Sequence, residues 1–204
     1  FRVSLVGYTT AGKSSLLNAL AKPNTTYVEN KLFATLDTTT RNIKSGKGQE
    51  FLLTDTVGLI QNLPHDLVAS FRSTFEEVKN SDLILTVVDA SSSRKVISEH
   101  ISTISSTLDS MKIKISSSLL IFNKIDSLSG KEKIEYLKKK YPDSIFVSAR
   151  EYIMIDGLLE SIYSVSSKNN ESQTFKIPHS KSFLVNDIYE KFIVESRKDN
   201  FEYI

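Results

Sequence analysis

The segment Gly7-Tyr8-Thr9-Thr10-Ala11-Gly12-Lys13-Ser14 satisfies G-x-x-x-x-G-K-[ST] at each required position. It constrains the fold tightly, because such a loop works only between a strand and a helix. The flanks supply both. Arg2-Val3-Ser4-Leu5-Val6 reads as a buried strand, and Ser15-Leu16-Leu17-Asn18-Ala19-Leu20 reads as a helix. The two glycines let the backbone curl until several N–H groups converge on one anion. The helix that starts there adds its positive end. Lys13 brings a mobile charge for the outer phosphates of a nucleotide, and Ser14 offers a hydroxyl oxygen to a magnesium ion.

The rest of the chain alternates strands and helices. The first helix is expected from Lys13 to Ala21, with Pro23 just beyond it, followed by a long threonine-rich connection over 23–40. A connection of that length in a compact domain is usually functional or disordered. Strands are expected at Arg41–Ser45 and Glu50–Thr54, joined in a hairpin by Gly46-Lys47-Gly48. Leu63, Leu67, Phe71, Phe75 and Val78 recur at helical spacing and predict a helix over 64–79. Asp82–Asp89 and Ser118–Asn123 are continuous apolar runs, as in parallel strands covered on both faces. Val96, Ile97, Ile101, Ile104 and Leu108 predict a helix over 93–111, despite many Ser and Thr. Ser129–Lys140 is a further helix ended by Pro142, Ser144–Ser148 the last strand of the sheet, and Ile153–Ser166 the final helix. These elements imply an α/β fold with a doubly wound, mostly parallel six-stranded sheet.

The α/β domain so defined spans 1–166. Residues 167–173 are a polar linker, and 174–204 form a small C-terminal α/β domain that is expected to be incomplete. Within it, strands are expected at Thr174–Ile177, Ile193–Glu195 and Phe201–Ile204, with a helix over Ser182–Phe192. The chain opens inside a strand, from which a missing upstream part is expected. With no cysteine, disulfides, thiolate metal sites and thiol catalysis are excluded. A net charge of +2 gives no overall field for nucleic acid, so any RNA contact must come from a local patch. No apolar run reaches membrane-spanning length.

Ligands of such sheets bind at the carboxyl ends of the strands, and the polar motifs fall there. Asp55-Thr56-Val57-Gly58 fits D-x-x-G: Asp55 would hold magnesium through water, and the Gly58 N–H would meet the terminal phosphate. Asn123-Lys124-Ile125-Asp126 fits N-K-x-D. A carboxylate only accepts hydrogen bonds. Guanine presents two adjacent donors, its N1–H and its amino group. Adenine presents an acceptor and no amino group, so Asp126 selects guanine. Asn123 bridges loops, and the Lys124 stem covers the base. In Ser148-Ala149-Arg150, the Ala149 N–H would meet the guanine carbonyl. The order of these four motifs defines a P-loop NTPase of the Ras-like G-domain type that binds GTP or GDP. Leu59 follows D-x-x-G where many GTPases carry a water-orienting Gln, and Gln61 would have to swing inward to replace it. Thr35, Thr38, Thr39 and Thr40 are the candidates for a switch threonine that caps magnesium and the terminal phosphate.

Several strings resemble the HflX family of translational GTPases. They are Gly7–Ser15, Leu32-Phe33-Ala34-Thr35-Leu36-Asp37, Asp55 through Pro64, Leu67 through Thr74, Val88-Asp89-Ala90-Ser91 and Asn123–Asp126. The likeness covers about residues 1–165, and the tail from Phe175 follows less tightly. It selects Thr35 to join Ser14 on magnesium and puts Phe33 and Ala34 beside the nucleotide, with Lys13, Thr35 and Gly58 at the hydrolytic end. It implies association with the large ribosomal subunit, hydrolysis stimulated by the ribosome, and splitting or rescue of stalled or idle ribosomes. A monomer in the cytoplasm is expected, or in an organelle for a eukaryotic source. Full-length members carry an N-terminal domain and a helical connector ahead of the G domain, and a hydrophobic residue at the position of Leu59. Thr10 stands where the family usually has an Asn that helps to hold potassium, which weighs against potassium stimulation. Two alternatives stay open: a nucleotide-dependent binding module with negligible hydrolysis of its own, and a G protein of RNA maturation or assembly.

Overall fold

The computed structural model describes residues 1–21, 39–44, 50–56, 72–110, 112–113, 117–168, 173–192, 194 and 196–200. Its strands are β1 (Arg2–Gly7), β2 (Thr39–Lys44), β3 (Glu50–Asp55), β4 (Leu83–Asp89), β5 (Ser118–Asn123) and β6 (Ile145–Phe146). The helices among the described residues are α1 (Lys13–Ala21), α2 (Arg72–Lys79), α3 (Arg94–Ser110), α4 (Glu132–Lys140), α5 (Ile155–Lys168) and α6 (Leu184–Lys191). The sheet order is β2-β3-β1-β4-β5-β6, with β2 antiparallel to β3 and the other pairings parallel.

Alternation along the strands sends side chains to both faces. Val3 and Leu5 of β1 join Leu83, Leu85 and Val87 of β4, packed against Leu16 and Leu20 of α1 and Leu158 and Ile162 of α5. Val6 and Ile84 face the other way, against Val78 of α2 and Ile104 and Leu108 of α3. Val88 and Phe122 continue that second layer against Ile97 of α3 and Leu137 of α4. This double burial is what the uninterrupted apolar runs of β4 and β5 require. Because β1 pairs with β3 on one side and β4 on the other, chain connections diverge at its carboxyl end. That end is the topological switch point, where these sheets place their ligands.

Within residues 1–168, the expected strands and helices form where the chain is described, with boundaries moved by local chemistry. α3 survives its Ser and Thr content because buried Ile97, Ile104 and Leu108 anchor it, while Ser106, Thr107 and Ser110 bond back to carbonyls within the helix. β6 is two residues long rather than spanning Ser144–Ser148. The Ser148 N–H and carbonyl are taken by Ile153, at 3.1 and 3.0 Å, which turns the chain out of the sheet. Met154 then sits at a φ of 58°, so α5 starts at Ile155, two residues later than its pattern predicts. α4 begins at Glu132 instead of Ser129, after Gly130 turns at a φ of 114°.

Thr174–Ile177 carries no strand, correcting that expectation. α6 forms within the expected Ser182–Phe192 segment. The hairpin turn at 46–48, the first part of the 64–79 helix and the tail strand at 201–204 lie outside the described residues.

Candidate functional site

The loop after β1 is shaped by close approach. A β-carbon on Gly7 would stand 2.3 Å from the Val87 carbonyl oxygen of β4, so only glycine fits the turn away from the sheet. Thr9–Ala11 forms a 3-10 turn, closed by the Ala11 N–H on the Tyr8 carbonyl at 3.0 Å. The Tyr8 ring is buried and stacks on His100 of α3 with centroids 3.7 Å apart, which leaves only its backbone at the rim. Thr9, Thr10 and Ser15 are exposed. Gly12 adopts a φ of 83°, and α1 starts at the next residue.

Lys13 is 5% exposed, and its ammonium donates to the Gly7 and Tyr8 carbonyls at 3.1 and 3.2 Å. Burial lowers its pKa, opposed by Asp55. The charge therefore sits inside the curl of the loop, already stripped of most of its water. Ser14 Oγ donates to Asp55 Oδ2 at 2.5 Å. Asp55 is buried, and its Oδ1 has no partner among the described residues. Burial raises the pKa of this carboxyl, with Ser14 and Lys13 opposing. A hydroxyl and an orphaned carboxylate oxygen side by side are hard donors of the kind magnesium takes. No group of three His, Cys, Asp or Glu gathers as a metal cage among the described residues. An ion at Ser14 and Asp55 would draw its remaining ligands from water and phosphate. Thr56, next to Asp55, is pinned by its hydroxyl to the Leu5 carbonyl at 2.5 Å.

The second half of the rim follows β5. Asn123 is 1% exposed and ties three segments together. Its Nδ2 donates to Ala11 O at 3.0 Å and Gly12 O at 3.4 Å, and its Oδ1 accepts the Ala149 N–H at 3.0 Å. The Ala149 N–H, expected to face a guanine carbonyl, thus already has a partner inside the protein. A β-carbon on Gly12 would stand 2.7 Å from Asn123 Nδ2, so the second loop glycine makes room for this bridge. Lys124 pairs with Asp89 at 2.7 Å.

Asp126 is exposed at the rim in a 3-10 turn, Ile125–Ser127. Ser148 Oγ donates to Asp126 Oδ1 at 2.5 Å and accepts the Glu151 N–H at 3.0 Å. The Ser148 hydrogen bond holds the Asp126 carboxyl below its ordinary pKa, which keeps it an ionised, acceptor-only group. Arg150 projects outward and pairs with its neighbour Glu151 at 3.3 Å.

The structure therefore brings Gly7–Ser14, Asp55, Asn123–Asp126 and Ser148–Ala149 to one rim. Phe33, Ala34, Thr35 and Gly58, with Leu59 and Gln61, lie outside the described residues. Two rim residues that stand in the quoted strings, Asp89 and Thr56, were given no role by the sequence reading. Asp89 closes an apolar strand and lies in the string Val88-Asp89-Ala90-Ser91, and those were the available signals.

Residues 2–124 match the model of a family described as 50S ribosome-binding GTPase. A GTPase HflX from Caldanaerobacter subterraneus is 42% identical over 189 residues, covering 93% of this chain and 42% of that relative. The GTPase HflX of Escherichia coli is 36% identical over 194 residues, covering 95% of this chain and 45% of its own length. The chain thus spans less than half the length of these relatives. A GTP-binding protein from Sulfolobus solfataricus, solved with GDP, superposes with a TM-score of 0.66 at 26% identity, over 83% of this chain and 53% of that one. Era from Aquifex aeolicus, bound to GDP and aluminium fluoride, shares the fold at a TM-score of 0.62 and 21% identity, over 84% of this chain and 57% of its own.

Proposed function

Since the chain belongs to the 50S ribosome-binding GTPase family and, within it, to the HflX GTPases, we propose that its rim binds GTP and GDP and hydrolyses GTP. Asp126 carries this reading. It is an ionised carboxylate on the rim, joined through Ser148 to the 149–151 turn, while Asn123 links that turn to the phosphate loop. An acceptor-only group there pairs with the N1–H and amino group of guanine and repels the ring nitrogen of adenine.

Lys13, at the mouth of α1, would neutralise the outer phosphates, with the loop N–H groups and the helix end adding to it. Ser14 and Asp55 would hold magnesium, Asp55 through water, joined by Thr35. Bound there, the ion supplies positive charge against the phosphate oxygens. By its place in D-x-x-G, the Gly58 N–H would meet the terminal phosphate. Leu59 cannot hydrogen-bond a water, so slow hydrolysis by the isolated chain is the expected behaviour, with acceleration by a partner. That partner is the large ribosomal subunit, and the cellular task is splitting or rescuing stalled or idle ribosomes, carried out by a cytoplasmic monomer. Thr10, with its short side chain, argues against potassium stimulation. Residues 1–166 act as the G domain, 167–173 as linker and 174–204 as a small C-terminal domain. No helix among the described residues is long and apolar enough to cross a membrane.

Phosphate release, measured with and without large ribosomal subunits, tests the activity. Stimulation by the subunits is expected; an unchanged rate contradicts ribosome-stimulated hydrolysis and favours a docking module. Asp126→Asn places a donor where guanine needs an acceptor. It is expected to weaken GTP binding about 10- to 100-fold, the worth of a hydrogen bond to a charged group. Xanthosine triphosphate should gain relative to GTP, and an unchanged ratio of the two affinities rejects this role for Asp126.

A further inference from the structure

Asp89 lies outside the nucleotide motifs, yet it is wired to the base end of the rim. It closes β4 opposite Asn123 in the sheet register, and the Ala90 N–H bonds the Asn123 carbonyl at 2.8 Å. Its Oδ1 accepts the Ser91 backbone N–H at 2.8 Å and the Ser91 hydroxyl at 2.5 Å. Its Oδ2 accepts the Lys124 ammonium at 2.7 Å, with the Asp89 side chain 10% exposed. Burial pushes the Asp89 carboxyl up, but the bonds from Lys124 and Ser91 outweigh it and the net shift is downward. The loop that carries Ser91 is pinned in turn by Lys133 of α4, which donates to the Ser91 and Ser92 carbonyls at 3.0 and 2.6 Å.

The other end of the pair meets the phosphate loop. Lys124 takes a left-handed conformation, φ 65° and ψ 36°, which disfavours residues with a β-carbon. Its Cε lies 3.7 Å from where a β-carbon on Gly12 would stand, so the stem runs alongside that glycine. A free lysine stem has four rotatable bonds whose freedom is lost when a ligand immobilises it. Here a buried carboxylate immobilises it beforehand.

We propose that Asp89 is a positioning residue for the nucleotide base: by anchoring the Lys124 ammonium, it fixes the Lys124 stem against Gly12 as an apolar flank for the guanine ring. The proposal rests on the guanine-nucleotide reading of the rim. Asp89 acts through Lys124, and base choice stays with Asp126. Loss of Asp89 therefore lowers affinity without changing selectivity.

The test is a double-mutant cycle with Asp89→Asn and Lys124→Met, read by titration with fluorescent GDP and by melting of the nucleotide-free protein. Asp89→Asn is expected to bind GDP about tenfold more weakly, as for one partner lost from a partly buried charge pair. It should cause no further loss in the Lys124→Met background and leave the ratio of GDP to xanthosine diphosphate affinity unchanged. Asp89→Glu should recover part of the loss. Wild-type affinity in Asp89→Asn overturns the proposal, and so does an equal loss in both backgrounds, which would mark a packing role. Should Asp89→Asn fail to fold, Asp89→Glu in the two backgrounds makes the same comparison with the same overturning result. A wild-type protein that binds ADP as well as GDP would instead sink the reading of the rim, before any variant is compared.

Discussion

Lys13→Ala is expected to weaken binding of GTP and GDP by about 3 kcal/mol, on the order of 100-fold, the scale found when one partner of a desolvated charge pair is truncated. The ammonium is buried and held by the Gly7 and Tyr8 carbonyls. Its desolvation is thus met in folding, before any ligand arrives, and burial accordingly lowers its pKa. A phosphate entering the loop meets a charge that need shed little further water. Stability of the nucleotide-free protein should move much less, because two effects oppose. Two carbonyls lose a donor, while a buried charge is removed from the core. Nucleotide titration beside melting without nucleotide separates the two quantities. Affinity within about threefold of wild type would show that this lysine does not meet the phosphates.

Asn123→Ala should damage binding and fold together. Its side chain satisfies Ala11 O and the Ala149 N–H, at 3.0 Å each, in a region closed to water. Each buried group left unpaired costs about 1–3 kcal/mol, so a destabilisation of about 3 kcal/mol is expected. GDP affinity should fall on the order of 100-fold as the two halves of the rim lose their tie. Gly12→Ala reaches the same bridge from the other side. Its β-carbon would press on Asn123 Nδ2 at 2.7 Å, at a φ of 83° that already strains a non-glycine residue. The two substitutions should therefore be less than additive in GDP affinity. Full additivity would mean that Gly12 serves the loop independently of Asn123.

How much of this was legible in the sequence depended on the range of the interaction. Apolar runs such as Leu83–Asp89 announced buried parallel strands, because double burial leaves no room for polar alternation. The two glycines, Lys13 and Ser14 announced the phosphate loop, because their spacing is local. Strand and helix ends were read less well where tertiary pairing decided them. Ser148 bonds Ile153 instead of extending β6, and no local propensity reports that. The pairing of Asp89 with Lys124, 35 residues away, left no trace in spacing. Asn123 was expected to bridge loops, but its capture of the Ala149 N–H depends on how the 148–153 turn folds back. Thr174–Ile177 looked like a strand by composition, which says nothing about whether a partner strand lies beside it.

The most direct measurement is calorimetric titration of this chain with GDP and, separately, with ADP, in magnesium-containing buffer. A carboxylate that reads two guanine donors predicts saturable GDP binding, with ADP weaker by at least about 100-fold. Equal uptake of the two nucleotides, or heat from neither, would contradict a guanine-selective rim.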